Sequence, residues 1–224
     1  EGKVNGLIRS STGEAGKMTL DAEIGIKNLT INEIPIGDLS TEAHLKDDAM
    51  VLQIENMLDG KKTITLGGDL ELGTLEFDLN GKLQEAEIKI FEPFLSNYLS
   101  DMGGQITGDI QLKGDAINPT LVGEGKIDQG KLRVNYLNTL YQLDGSVLFT
   151  PGQVRFDKLI AKDVRGNTAD LKGGLNYQGL DNIRLDIQAD LRNFQVMNTS
   201  AKDNEVFYGN IYVTGEMDLS GNTD

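Results

Sequence analysis

Apolar and polar residues alternate with a period of two along almost the whole chain. Successive side chains of a β-strand point to opposite faces, so this pattern predicts strands with one apolar and one polar face. Within residues 17–27, for example, the apolar side chains are Met18, Leu20, Ala22, Ile24 and Ile26. Similar runs recur along the sequence and predict roughly 15 short strands.

Turn motifs follow one another at short intervals between these runs. Dipeptides that contain glycine supply the backbone conformations of tight hairpins, so they predict a meander of antiparallel neighbours. The candidate turns are Asp59-Gly60, Asn80-Gly81, Gln129-Gly130, Asp144-Gly145, Pro151-Gly152 and Gly166-Asn167.

Composition excludes most common chemistries. The 224 residues include 27 glycines, no cysteine, a single histidine and a formal net charge of −14. The absence of cysteine excludes disulfide scaffolds and cysteine nucleophiles, and the negative charge argues against nucleic acid as a partner. No run of about 18 apolar residues is present. We expect the chain to be an excised or processed segment of a longer protein.

One segment departs from the period of two. Residues 91–103 place their large apolar side chains on one arc at helical spacing, with Pro93 near the start and two glycines at the end. This pattern predicts a short amphipathic helix between a first β segment, residues 1–90, and a second β segment, residues 104–224. We expect the second segment to be truncated at its C-terminal edge. The predicted apolar face of the helix consists of Phe94, Leu95, Tyr98, Leu99 and Met102.

Isolated motifs favour structural roles over chemistry. Residues 125–131 match the spacing of a phosphate-binding loop, but Leu132 replaces its Ser/Thr, so a Gln129-Gly130 turn is the expected structure. His44 falls on the polar phase of a strand, and we expect it to face solvent. Asp157 and Asp163 lie outside any calcium-loop pattern and are expected in solvated turns. We predict no catalytic site, metal site or cofactor.

An ordered series of motifs resembles the C-terminal half of TamB proteins, within the wider AsmA-like group, and is most similar to the versions found in Bacteroidetes. The resemblance is strong over residues 91–224 and looser over residues 1–90. Its motifs are FEPFL at 91–95, GQITGDIQLKG at 104–114, NPTLVG at 118–123, VNYLNTLY at 134–141, DVRGNTA at 163–169 and FYGNIYVTG at 207–215.

The resemblance implies an all-β fold, an elongated curled antiparallel sheet that forms a taco-like trough with an apolar interior. It also implies a periplasmic segment of a protein anchored in the inner membrane of a Gram-negative bacterium. Expected partners are phospholipid or another acyl-chain amphiphile and an outer-membrane β-barrel protein of the BamA/TamA type. The expected function is phospholipid transport between the membranes, support of outer-membrane protein assembly, or both. The family is not known for a catalytic residue set.

The apolar sides of the strands allow two arrangements, a sandwich with a filled core or an open groove, and the residues alone favour neither. For the groove, the predicted lipid-lining residues are Ile106, Ile110, Leu112, Val147, Phe149, Leu171, Leu175, Ile183, Leu185, Ile187, Ile211, Val213 and Met217. The helix of residues 91–103 is expected either to plug or cover the groove or to cap a sheet edge.

Two other functions stay open at this point, a chaperone-like trough for nascent outer-membrane β-strands and a structural β spacer without a ligand. We also expect edge-to-edge self-association of the segment in concentrated solution, because its end strands are unprotected.

Overall fold

Alternating side chains direct almost the whole chain into β-strands. The computed structural model describes residues 1–12, 18–46, 48–178, 182–202 and 208–222. Among these residues the strands are β1 (Lys3–Thr12), β2 (Met18–Ile31), β3 (Ile34–Lys46), β4 (Ala49–Leu58), β5 (Lys61–Glu71), β6 (Phe77–Glu87), β7 (Leu99–Gly114), β8 (Pro119–Val134), β9 (Thr139–Thr150), β10 (Gln153–Lys162), β11 (Thr168–Gln178), β12 (Asn182–Thr199) and β13 (Gly209–Asn222). The helical parts are α1 (Glu92–Leu95) and two 3₁₀ turns, Ile88–Phe91 and Asn135–Leu137.

All thirteen described strands belong to one sheet, and their order in the sheet is their order in the sequence. Neighbouring strands pair antiparallel, as the registers of β1 with β2 and of β12 with β13 illustrate. The sheet does not close, because β1 and β13 are the two end strands of this order. The prediction of an open, antiparallel, all-β architecture is confirmed.

The strands are fewer and longer than predicted because half of the proposed turns lie inside them. Asp59-Gly60, Pro151-Gly152 and Gly166-Asn167 do separate strands, whereas Asn80-Gly81, Gln129-Gly130 and Asp144-Gly145 lie within β6, β8 and β9. These long strands accommodate left-handed backbone. Gln129, for example, has φ 49°, and its N–H donates to a carboxylate oxygen of Asp144 at 2.9 Å.

The predicted helix of residues 91–103 is wrong in its extent. Helix α1 contains only four residues, and β7 begins at Leu99, so Leu99 and Met102 are strand residues. The backbone N–H of Met102 donates to Glu92 Oε2 at 2.8 Å, which ties the start of the strand to the helix. Alternation in β7 buries Met102, whose exposed fraction is 8%. The same apolar spacing therefore serves a helical turn followed by a strand.

The chain divides into two compact units. Unit 1 comprises Glu1–Ala86 and Thr107–Gly123, and unit 2 comprises Glu87–Ile106 and Glu124–Asp224. In unit 1 the registers align one apolar row across six strands: Ile8, Ala22, Ala43, Leu52, Gly68 and Leu79. The opposite face of this unit carries His44, which is 60% exposed and lies 2.7 Å from the Asp21 carboxylate, so the expectation of a solvent-facing histidine is confirmed.

In unit 2 the same principle produces a second apolar face. The pairings of β9 with β10, β10 with β11 and β11 with β12 place Phe149, Val154, Leu175 and Leu185 in one row. The adjacent row on the opposite face contains Leu148, Arg155, Gly174 and Asp186. A single sheet thus has an apolar side and a largely polar side in this unit, as alternation requires.

Candidate functional site

The apolar face of unit 2 is the candidate functional surface, because it holds most of the residues predicted to line a lipid groove. Direct cross-strand pairs, together with alternation along β9, β11, β13 and the part of β12 before its register shifts, place ten of these residues on one face. They are Val147, Phe149, Leu171, Leu175, Ile183, Leu185, Ile187, Ile211, Val213 and Met217.

Ile106 extends this face onto β7. A side chain at Gly125 of β8 would overlap the end of Ile106 and contact the ring of Phe149. Glycine at this position therefore allows the two side chains to approach over β8. The other two predicted lining residues, Ile110 and Leu112, belong to unit 1, where both are half-buried.

The exposure of the side chains on this face differs between two cross-strand rows, which lie at two levels along the strands. At the level of Phe149, Val154, Leu175 and Leu185 the side chains are half-buried, so apolar surface remains accessible. At a second level, nearer the tip of the β10–β11 hairpin, Ala161, Ala169 and Leu191 are each no more than 1% exposed. The face is therefore open at one level and densely packed at the other.

Two aromatic residues complete the packed level. Tyr141 of β9 and Phe194 of β12 stack with ring centroids 5.0 Å apart and an angle of 19° between their planes. Phe194 is 4% exposed and forms one hydrophobic cluster with Ala161, Ala169 and Leu191. The Tyr141 hydroxyl donates to the backbone carbonyl of Gln195 at 2.9 Å. Burial raises the pKa of Tyr141, so this hydroxyl keeps its proton and remains a donor.

A buried carboxylate supports the packed level from the hairpin tip. Asp163 is 4% exposed and follows directly after β10. Its side chain accepts hydrogen bonds from the backbone N–H groups of Arg165, Asn167 and Gln195 and from the Asn167 side-chain amide, at 2.8–3.1 Å. Asp163 was expected in a solvated turn, and this expectation is wrong because β12 runs past the turn and covers it.

The pKa of Asp163 reflects this environment. Burial alone would raise the pKa, since it disfavours the charged carboxylate. The Asn167 amide and the backbone N–H groups of Gln195, Asn167 and Arg165 outweigh burial and lower the pKa below its ordinary value of 3.8.

The chain should therefore lose stability at acid pH partly through Asp163. A carboxyl group with a lowered folded-state pKa contributes stability above its unfolded-state pKa, and this contribution is lost as the pH falls through the folded-state pKa. We expect urea unfolding between about pH 6 and about pH 2 to show a shallower loss for Asp163→Asn than for the native chain. Asp38 and Asp115 also have lowered pKa values, but both are present in the two proteins. If the free energy of unfolding fell equally with pH in the native chain and in Asp163→Asn, the assignment to Asp163 would be contradicted.

The packed level was not predicted from the sequence. Tyr141 continues the apolar phase of β9, whereas Phe194 reaches the apolar face only through the register shift that follows Leu191. Alternation alone therefore does not assign Phe194 to this face, and the contact also depends on strands that are not neighbours. The predicted plug residues lie elsewhere: Leu95 in α1, Tyr98 between α1 and β7, and Leu99 and Met102 in β7. Phe94 is also in α1, but its side chain lies outside the described set.

The polar face of unit 2 carries a shallow depression of about 210 Å³. Charges of both signs surround it, so it offers neither an apolar surface nor a uniform field for one kind of ion. Its lining residues are Arg155, Asp157, Lys172, Gly173, Asp186 and Gln188. In the described part of the chain, no cluster of three or more histidine or acidic side chains has a metal-binding arrangement.

Comparison with known families identifies the C-terminal part of the chain. The sequence model of the TamB C-terminal domain family matches residues 157–224, which contain most of β10 and all of β11–β13. The match supports a TamB-family segment over these residues. TamB proteins are bacterial envelope proteins of a transport and assembly family that is not known for enzymatic activity. The TamB match thus covers Leu171–Met217, the part of the apolar face that β11–β13 provide.

Neither a curated protein nor a solved structure matches the chain significantly. Among the described residues, no helix has the length and apolar character needed to cross a membrane.

Proposed function

We propose that this chain is a periplasmic segment of a TamB-like intermembrane protein whose apolar sheet face conducts phospholipids between the inner and outer membranes. The observation that carries the proposal is the half-buried apolar row of Phe149, Val154, Leu175 and Leu185 on a sheet whose other face is largely polar. The TamB family match over residues 157–224 supports an envelope role in lipid transport or protein assembly.

The chemistry of this row suits acyl chains. Each methylene group transferred from water to an apolar surface contributes about 0.8 kcal/mol, so such a surface stabilises lipid tails in proportion to their length. The row contains no charged or hydrogen-bonding side chain, so it provides no preferred stopping point along its own direction, which runs across the strands. Strands about 4.8 Å apart continue the surface from one row member to the next. In the proposed mechanism, tails slide along an elongated, curled sheet while head groups stay in water.

The proposed setting follows from the same family. The segment belongs to a protein anchored in the inner membrane, and it acts with an outer-membrane β-barrel partner of the BamA/TamA type. In this setting α1 and the residues after it, including Tyr98 and Met102, act as a plug or lid at the apolar face, which remains a prediction.

A pair of adjacent residues provides the test of lipid conduction. Leu185 lies on the apolar face, and Asp186 is its neighbour on the opposite face of the same strand. We expect a photo-crosslinking amino acid at position 185 to capture phospholipid from vesicles of phosphatidylethanolamine and phosphatidylglycerol, and the same probe at position 186 to capture none. Mass spectrometry of the adducts distinguishes the two results. Equal labelling at both positions, or none at either, would overturn the proposal.

A second function has one observation in its favour. Strand β13 ends the strand order and spans fourteen residues, so one of its edges has no partner strand among the described residues. Such an edge can accept an extended polypeptide by β-augmentation, as a chaperone-like trough for outer-membrane proteins would require. In that case probes on β13 would capture polypeptide, and probes at Leu185 would capture no lipid.

A further inference from the structure

Strands β9 and β12 meet on the apolar face of unit 2 although two other strands separate them in the sheet. In a flat sheet, three spacings of about 4.8 Å would hold these strands about 14 Å apart. The Tyr141 hydroxyl nevertheless lies 2.9 Å from the Gln195 carbonyl oxygen, and the Tyr141 ring stacks on Phe194. The sheet of unit 2 therefore bends toward its apolar side at this point.

The small size of the intervening residues permits this contact. Ala161 of β10 and Ala169 of β11 pair directly with each other, and they lie between Leu143 of β9 and Leu191 of β12 in one row. Since an alanine side chain is short, the aromatic rings can meet above the two strands. The almost complete burial of both alanines shows that no space for another molecule remains beneath the rings.

Hydrogen bonds fix the β12 side of the contact. The Gln195 N–H donates to Asp163 Oδ2 at 3.1 Å, and the carbonyl of the same residue accepts from Tyr141. The Gln195 side-chain amide donates to Asn210 Oδ1 of β13 at 2.9 Å. Main chain and side chain of one residue thus connect β9, the hairpin tip and β13, so Phe194 is held in place beside Tyr141.

We propose that the Tyr141–Phe194 pair is a barrier that stops acyl chains on the apolar face of unit 2. The proposal rests on lipid conduction by this face. It assigns lipid tails to the open level around Leu175 and Leu185 and excludes them from Ile211, which pairs with Met197 beyond the barrier. Ile211 itself is 43% exposed, so its lack of lipid would result from the barrier and not from burial.

The barrier makes a specific prediction about two probe positions. With a photo-crosslinking amino acid at Leu175 or Ile211 and vesicles of phosphatidylethanolamine and phosphatidylglycerol, we expect the native chain to form lipid adducts at 175. Adducts at 211 should be at least about tenfold fewer, because a close-packed level leaves no passage for a tail. In Tyr141→Ala, which removes the half-buried ring, adducts at 211 should rise to the level seen at 175.

Tyr141→Phe is the matched control, because it removes the hydroxyl and keeps the stacked ring. We expect it to leave position 211 protected. Phe194→Ala opens the barrier from the other side and serves as a second variant. Circular dichroism and a cooperative urea transition verify that each variant folds. If Tyr141→Ala or Phe194→Ala does not fold, the comparison of adducts at positions 175 and 211 in the native chain still tests the barrier.

The outcomes separate the barrier from lipid conduction. Adducts at both positions in the native chain would overturn the barrier and leave conduction intact. Absence of lipid adducts at position 211 in a folded Tyr141→Ala or Phe194→Ala chain would also overturn the barrier. Absence of adducts at Leu175 and Leu185 in every protein would overturn the proposed conduction, and the barrier's role with it.

Discussion

Replacing Gly173 with alanine is expected to lower the free energy of unfolding by about 3–5 kcal/mol. Gly173 lies in the middle of β11 with φ 123°, a backbone conformation that residues with a side chain rarely adopt. A methyl group there would overlap the backbone carbonyl oxygen of Asp186 on β12. Because that oxygen belongs to the main chain of a paired strand, it cannot rotate away, and the two strands must separate. Urea unfolding followed by far-UV circular dichroism measures the loss.

Gly215 offers the matched control for this substitution. Its φ is 133°, close to that of Gly173, but no atom lies within 4 Å of the position of an added methyl group. Gly215→Ala should therefore cost only the backbone strain, about 1–2 kcal/mol. Equal losses for the two variants would mean that the close approach of β11 and β12 contributes nothing.

Removal of the Asp163 carboxylate should have an effect of similar size. In Asp163→Ala, the buried N–H of Gln195 and the N–H groups of Arg165 and Asn167 lose their acceptor, and hydrogen bonds to a charged group contribute about 1.5–3 kcal/mol each. Since such losses are not additive, we expect a decrease of about 3–4 kcal/mol in the free energy of unfolding.

Asp115 provides the comparison for this second prediction. Its carboxylate also accepts two backbone N–H groups, from Ile117 and Asn118, but both hydrogen bonds are exposed. Water can replace the lost acceptor there, so Asp115→Ala should lower the free energy of unfolding much less than Asp163→Ala. A loss as large as that of Asp163→Ala would show that burial is not the cause of the difference.

The parts of the fold that depend on neighbouring residues could be predicted from the sequence. Alternation within β11 and β12 assigns Leu171, Leu175 and Leu185 to one face, because the direction of a strand side chain is a local property. The strand count was overestimated for a related reason. Residues such as Gln129 and Gly145 take left-handed or strained backbone inside strands, and the same dipeptides are typical of hairpin turns.

The packed level of the candidate site could not be predicted in this way. It arises because β12 has eighteen residues and its partner β11 only eleven, so Phe194 extends past the hairpin tip and reaches Tyr141. The unequal strand lengths also explain the burial of Asp163. Strand lengths follow from register and bulges, and no local pattern in the sequence specifies them.

The strand order has a consequence for how such a chain acquires its structure. Each described strand pairs only with the strands that precede and follow it in the sequence. No described strand pairs with a strand that is distant in the sequence, so the entropy lost in closing long loops is largely avoided. The sheet can therefore grow one hairpin at a time during synthesis, because each new strand pairs with a strand that has already formed.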